Sequence, residues 1–146
     1  MIKDLNSAGA LPTLDAMMRF AGARQRVIAH NVANWDTPNF QPKDVSVSEF
    51  QRSLGEAVAR RRAFNGGMVG DLPFEGTREV RPTRGGGLEL RPETHTGGVL
   101  AHDRNSTDLE RLLQDMVENA NVYRVAADFM RVQTQRLHAA IGERVA

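Results

Sequence analysis

Residues 107–144, TDLERLLQDMVENANVYRVAADFMRVQTQRLHAAIGER, are the stretch that decides the fold of this chain. Apolar side chains recur there at alternating steps of four and three, and neither Gly nor Pro interrupts residues 107–141. This 3.5-residue repeat keeps one seam of a helix against a partner helix. The sequence therefore predicts a helix about 55 Å long at 1.5 Å per residue. The repeat consists of Leu109, Leu113, Met116, Ala120, Tyr123, Ala127, Met130, Leu137 and Ile141, with the polar Thr134 inside it.

The start of this predicted helix is marked by a capping box, because Thr107 and Glu110 stand three residues apart. In such a box the threonine hydroxyl accepts from the glutamate N–H, and the carboxylate accepts from the threonine N–H. A helix of this length exceeds what a compact domain of 146 residues requires. Its seam therefore needs a partner, within this chain or outside it.

A second helix is predicted from Pro12 to Asn34, since proline suits the first turn, where its missing N–H is not needed. One face of this helix is apolar and the opposite face is charged. We predict a mainly α fold in which residues 1–34 and 106–146 form one unit, a coiled-coil-like pair of long helices. The N-terminal side of the predicted intrachain seam consists of Leu14, Met18, Ala21, Ile28 and Val32.

Between the two helices the sequence loses its long helical periodicity and becomes rich in loop-forming residues. Residues 35–64 are predicted to form a Thr-Pro loop and a short extended or helical segment, with alternating apolar residues in 43–50. Residues 65–105 hold nine of the 13 glycines and are predicted to be an irregular, partly disordered insertion. Its short apolar pieces, Leu88-Glu89-Leu90 and Val99-Leu100, are candidates for short paired β segments.

Composition excludes several classes of function. The net charge of +1 argues against binding nucleic acid through bulk electrostatics. The chain has no cysteine, which excludes disulfides and thiolate metal sites. No run approaches the ~18 apolar residues of a membrane span, and the N-terminus lacks the apolar core of a signal peptide. We therefore expect a soluble protein that is not inserted in a membrane and whose export would not use a cleaved signal.

A search for chemistry finds little. Gly85-Gly86-Gly87 lacks the Lys-Ser/Thr that would complete a phosphate-binding loop. His95, His102 and Asp103 could ligate a metal, but they lie in the Gly-rich region, where nothing preorganises them. The sequence therefore predicts no active site, no cofactor and no metal, and the protein is predicted not to be an enzyme.

Residues 31–40, NVANWDTPNF, together with the order of the helices, resemble the bacterial flagellar axial proteins, whose N-terminal motif has the form Ala-Asn-x-x-Thr-Pro-Gly-Tyr. The stretch from Met116 to Ala120, with Tyr123, is similar to the proximal rod member of that family. Asn39 stands where the family has Gly, and Phe40 where it has Tyr. Asn34 and Asn39 both tolerate left-handed backbone. The motif residues are Asn31, Ala33, Asn34, Thr37, Pro38 and Phe40.

The resemblance implies a structural subunit of the periplasmic rod in the flagellar basal body. Such a subunit would be exported through the flagellar type III apparatus without signal cleavage. Its implied partners are other copies of itself, other rod proteins, and the junction protein that links the rod to the membrane ring and the export gate.

The C-terminal helix carries a second set of apolar residues, well round the helix from the seam. We name Val122, Val125, Phe129 and Val132 the apolar stripe. A helix that is apolar on two faces is buried by more than one neighbour. The stripe is therefore predicted to be a contact between subunits of a polymer. The alternative is that the middle of the chain folds back onto it.

Other functions stay open on the sequence alone. One is a sibling rod protein at another axial position, and a second is a cytosolic adaptor that dimerises through the heptads. The third is a small metal-dependent enzyme that uses His95 and His102.

Overall fold

The computed structural model describes residues 8–94 and 104–142. Within these described residues, three helices and one small hairpin follow each other, so the predicted mainly α fold is confirmed. Val99-Leu100, His95, His102 and Asp103 lie outside the described residues. The elements are α1 (Leu11–Asn34), α2 (Val47–Asn65), β1 (Val80–Pro82), β2 (Leu88–Leu90) and α3 (Arg104–Gly142).

The two long helices, α1 and α3, pack against each other. They run antiparallel, since Asn119 of α3 bonds Ala21 of α1, while Met130 further along α3 shares a groove with Leu11. With 24 residues, α1 is about 36 Å long, and α3, with 39 residues, is about 58 Å long. The C-terminal end of α3 therefore extends beyond the start of α1, and this extension has no partner among the described residues of α1.

The helix α3 begins at Arg104, so Thr107 lies within its first turn and not at the predicted N-cap. No residue between Arg104 and Thr107 is a helix breaker, and the helix therefore continues back past the predicted start. Side chains of residues 104–108 lie outside the described part of the chain.

A capped start is found instead at α2, where Ser46 is the N-cap. The Ser46 Oγ accepts from the Glu49 N–H at 3.2 Å, and the Ser46 N–H donates to Glu79 Oε2 at 2.6 Å. A distant glutamate thus completes the cap that Glu49 would complete in a local box. The predicted extended segment accordingly stops at Ser46, and Val47 is already helical.

The middle of the chain packs on α1. The Phe20 ring of α1 stacks on the Phe50 ring of α2 with centroids 3.9 Å apart, and Phe74 meets Phe50 edge-on at 5.6 Å. Val45 and Val80 are fully buried in the same cluster. The core of this molecule therefore lies between α1 and the middle segment, on a different side of α1 from its contact with α3.

Much of the predicted irregular insertion is folded. β1 and β2 form an antiparallel hairpin in which Val80 pairs with Leu90, and an isolated bridge joins Asp44 to Glu93. Leu88-Glu89-Leu90 thus forms a strand as predicted, paired with Val80–Pro82. The remaining described backbone of the insertion is irregular, as predicted, and its glycines permit tight turns that bring small apolar pieces onto α1.

Gly76 lies in a tight turn that precedes β1, and its φ is +87°. A Cβ there would overlap the Val80 carbonyl oxygen and lie 2.9 Å from Pro82 Cδ. We expect Gly76→Ala to destabilise the protein by about 3 kcal/mol, since left-handed strain and overpacking add. Urea unfolding measures the difference. Gly85→Ala is the control, because its Cβ would meet nothing within 4 Å and its φ is not positive. Equal stability of the two variants would contradict this reading.

Candidate assembly surface

The most buried side chains described in α3 are Asn119 and Ala126, which are 4% and 1% exposed, and Asn119 bonds α1 directly. Neither belongs to the predicted heptad set. Of that set, Leu113, Tyr123 and Ile141 are exposed. Ile141 lies in the extension beyond α1, so that α1 has no residue opposite it. The other predicted seam residues are buried or half-buried: Leu14, Met18, Ala21, Ile28, Val32, Leu109, Met116, Ala120, Ala127, Met130 and Leu137.

The size and polarity of the side chains explain why residues outside the predicted heptad set are the most buried. Asn119 Nδ2 donates to the Ala21 carbonyl at 2.8 Å and to Gln25 Oε1 at 2.7 Å. A Cβ added at Gly22 would lie 3.8 Å from Tyr123 Cε2, so the edge of the tyrosine ring packs over α1 at this glycine. Counting apolar residues alone missed Asn119, although a single buried Asn is a known device for setting the register of paired helices.

The motif loop is a tight turn built on Asn39. This residue has φ of +61°, and the Phe40 N–H donates to the Thr37 carbonyl at 3.1 Å. Pro38 at the second position and a left-handed residue at the third are the pattern of a type II turn. Asn34 remains helical, and its Nδ2 donates to the His30 carbonyl at 2.7 Å. The left-handed position is therefore Asn39 and not Asn34.

The return of the loop is held by Asn31, which is buried in α1. Its Nδ2 donates to the Lys43 carbonyl at 2.6 Å, and its Oδ1 accepts from the Lys43 N–H at 3.2 Å. One amide thus satisfies both backbone groups of Lys43. Phe40 is half-buried and meets the His30 ring edge-on at 5.7 Å, whereas Ala33, Thr37 and Pro38 are exposed.

We expect the substitutions Asn39→Gly and Asn39→Val to have different effects on the stability of the protein. Glycine adopts the left-handed region without strain, while a β-branched side chain there costs about 1–2 kcal/mol. The midpoint of urea unfolding should therefore fall for Asn39→Val and change little for Asn39→Gly. If both variants unfold at the wild-type midpoint, the turn does not depend on a left-handed residue.

Arg24 joins the motif loop to the helix pair. Its Nε lies 3.0 Å from Asp44 Oδ1 and its Nη2 lies 2.6 Å from Asp44 Oδ2, a two-pronged contact. The same Nη2 lies 3.9 Å from Asp115 of α3. Burial raises the pKa of Asp115 above its usual range even though Arg24 opposes the shift. Asp44 is therefore the principal partner of Arg24, and Asp115 gains little from it.

The apolar stripe is open to solvent. Val122, Val125, Phe129 and Val132 are 43%, 52%, 56% and 37% exposed. The described part of the middle segment packs on α1 instead of covering these residues. At one end, Val122 borders a groove formed by α1, α2 and α3. The stripe and this groove make one candidate assembly surface.

Neither a metal-binding cluster nor a membrane-spanning helix is found among the described residues. Within residues 8–94 and 104–142, no three His, Cys, Asp or Glu side chains are grouped so that they could hold a metal ion. Across the same residues, no helix is both long enough and apolar enough to span a bilayer.

The fold and the surface together are those of a structural protein of the axial type. Its terminal helices pair antiparallel, its Asn-rich turn is held by Asn31, and its apolar stripe is open to solvent. No protein-family model matches the chain. The flagellar basal body rod protein FlgB of Borrelia hermsii is 31% identical over 104 residues, covering 68% of this chain and 71% of the relative. The chain belongs to the family of the flagellar basal body rod protein FlgB.

Two other relatives carry the same description. FlgB of Proteus mirabilis is 25% identical over 118 residues, covering 81% of this chain and 82% of the relative. FlgB of Salmonella typhimurium is 26% identical over 122 residues, covering 79% and 85% respectively.

Proposed function

We propose that this protein is a structural subunit of the flagellar basal-body rod that polymerises through its terminal helices. The observation that carries the proposal is the apolar stripe on α3, which is open in the single chain. Exposed apolar surface of this kind is buried when subunits meet, at about 25 cal/mol per Å² removed from water. Contacts between unlike surfaces of successive copies propagate as an open helix, the geometry that a rod requires.

The choice of the stripe over the seam follows from what each surface already contacts. Buried Asn119 and Ala126 join α3 to α1, so the seam is occupied within one chain. The middle segment lies against Phe20 of α1. The stripe therefore keeps its apolar residues for a second molecule.

The position we propose is the proximal part of the periplasmic rod, reached through the flagellar type III apparatus without signal cleavage. Its partners there would be further copies of this chain, other rod proteins, and the junction protein that connects the rod to the membrane ring and export gate. Support for this finer assignment comes from the Asn-Thr-Pro motif around Asn34 and Pro38 and from the FlgB names of its relatives.

The adaptor and metalloenzyme alternatives gain nothing from the structure. A cytosolic adaptor would need a free heptad seam, but α3 packs on α1 and most of the seam residues are at least half-buried. A sibling rod protein shares the architecture and would differ in axial position alone.

Isolation of basal bodies from the source bacterium tests the proposed function. We expect the chain to copurify with the rod at a fixed ratio to other rod subunits, and we expect a deletion strain to lack rods. A deletion strain with complete rods, or a chain found in the cytosol alone, would contradict the proposal. Density for the chain elsewhere along the rod would contradict the proximal position.

A further inference from the structure

A groove opens between α1, α2 and α3, at the end of the apolar stripe. It has a volume of about 560 Å³, within the range of about 300–1,000 Å³ typical of sites that hold a ligand. Apolar side chains from all three helices line it, and the stacked rings of Phe20 and Phe50 contribute an aromatic wall. Met17, Val47, Val58 and Val122 are among the other apolar residues that line it.

Gly55 keeps the groove open. It lies inside α2, where glycine destabilises a helix by about 1 kcal/mol relative to alanine. A Cβ at this position would meet nothing within 4 Å, and the backbone needs no left-handed conformation there. The fold of the single chain thus gives no reason for glycine at this site, whereas an occupant of the groove would.

The same chain carries a projection of matching chemistry, which we name the apolar tip: Phe64, Met68 and Val69. Their exposed fractions are 92%, 73% and 56%. The backbone of the tip is held in place, because Gly66 ends α2 with φ of +69° and the Gly9 N–H donates to the Met68 carbonyl at 2.9 Å.

Charge also matches between the two surfaces. The apolar tip follows Arg60, Arg61 and Arg62. Arg60 lies 3.9 Å from Glu75, and buried Arg61 donates to the Gly9 carbonyl at 2.6 Å, so exposed Arg62 supplies most of the positive charge beside the tip. The groove is bordered by Asp115 and Glu118, while its one arginine, Arg24, faces Asp44. A basic projection and an acidic rim favour the docked orientation over its reverse.

We propose that the groove beside Gly55 receives the apolar tip of a second copy of this chain. A molecule cannot fill its own groove, because Phe64 lies nine residues further along the same helix, about 13 Å from Gly55. The tip and the groove are unlike surfaces, so their contact gives each copy one donor end and one acceptor end. This inference rests on the proposed rod function and adds the direction of assembly to it.

The decisive variant is Gly55→Leu, which fills the groove with a good helix former. We expect its melting temperature to equal or exceed that of the wild type, while self-association in sedimentation velocity requires at least tenfold higher concentration. Phe64→Ser, made in an exposed side chain, should weaken self-association to the same degree. Combining the two should add little, since both remove one contact. Wild-type self-association in both single variants, or a wild type that stays monomeric at every concentration, would overturn the proposal.

Thiol cross-linking locates the contact. Because the chain has no native cysteine, only the introduced thiols can form a disulfide. Gly55→Cys and Phe64→Cys copies with different tags are mixed and oxidised. Random pairing of equal amounts already yields twice as much mixed dimer as either like dimer. Mixed dimers should therefore exceed that statistical proportion clearly, whereas the statistical proportion itself would overturn the tip-in-groove contact. The proposed function is judged separately: a chain present in purified rods without the mixed dimer retains its role as a rod subunit and loses this contact alone.

Discussion

Cells that carry Phe129→Asp are expected to make and export the chain but to form no rods and not to swim. Phe129 is largely exposed in the single chain, so the carboxylate stays hydrated there and folding changes little. At an apolar contact between subunits the same carboxylate would lose its hydration without a partner, at a penalty of several kcal/mol. Motility and electron microscopy of basal bodies measure the effect.

The matched control is Ala126→Asp, three residues away on α3 but buried against α1. This variant should lose helix content in the purified chain as well as assembly in cells. The two substitutions therefore separate an assembly surface from an intramolecular one. Normal swimming of Phe129→Asp cells would rule out the stripe as a subunit contact, and loss of helix content comparable to Ala126→Asp would show that the stripe is buried within the subunit.

The second large effect is expected at Arg24, where replacement by alanine should reduce the free energy of unfolding by about 3 kcal/mol. This is the low end of the range for breaking a buried ion pair, because the Asp44 side chain is still partly exposed. The loss would separate α1 from the segment that follows the motif loop. Chemical denaturation monitored by circular dichroism measures it.

Two controls define the cause of that loss. Arg19→Ala breaks the exposed pair with Asp15 on the same helix and should change stability by less than about 1 kcal/mol. The double variant Arg24→Ala with Asp44→Ala should be less destabilised than the sum of the singles, because the Asp44 carboxylate, the principal partner of Arg24, is then no longer left without its arginine. Simple additivity would mean that the two side chains do not act as a pair.

The sequence by itself determined the features that depend on neighbours within a few residues. The periodicity of residues 107–144 predicted a long helix, and the end of α1 at Asn34 was read from the residues beside it. The Thr-Pro-Asn stretch contains its own turn chemistry, although the left-handed residue proved to be Asn39. The apolar stripe was also visible, because helical spacing alone puts its members on one face.

Only the tertiary structure decided which residues meet across large separations in the chain. The N–H of the N-cap residue Ser46 donates to Glu79, 33 positions further along the chain, and the Asn119 side chain donates to the Ala21 carbonyl, 98 positions away. Neither pairing leaves a local pattern, since each depends on how whole elements approach one another. Asn119 and Ala126 are the most buried side chains described in α3, because small and hydrogen-bonded residues allow close approach. The Gly-rich segment folds for a related reason: its few apolar residues become a core once α1 supplies the opposite wall.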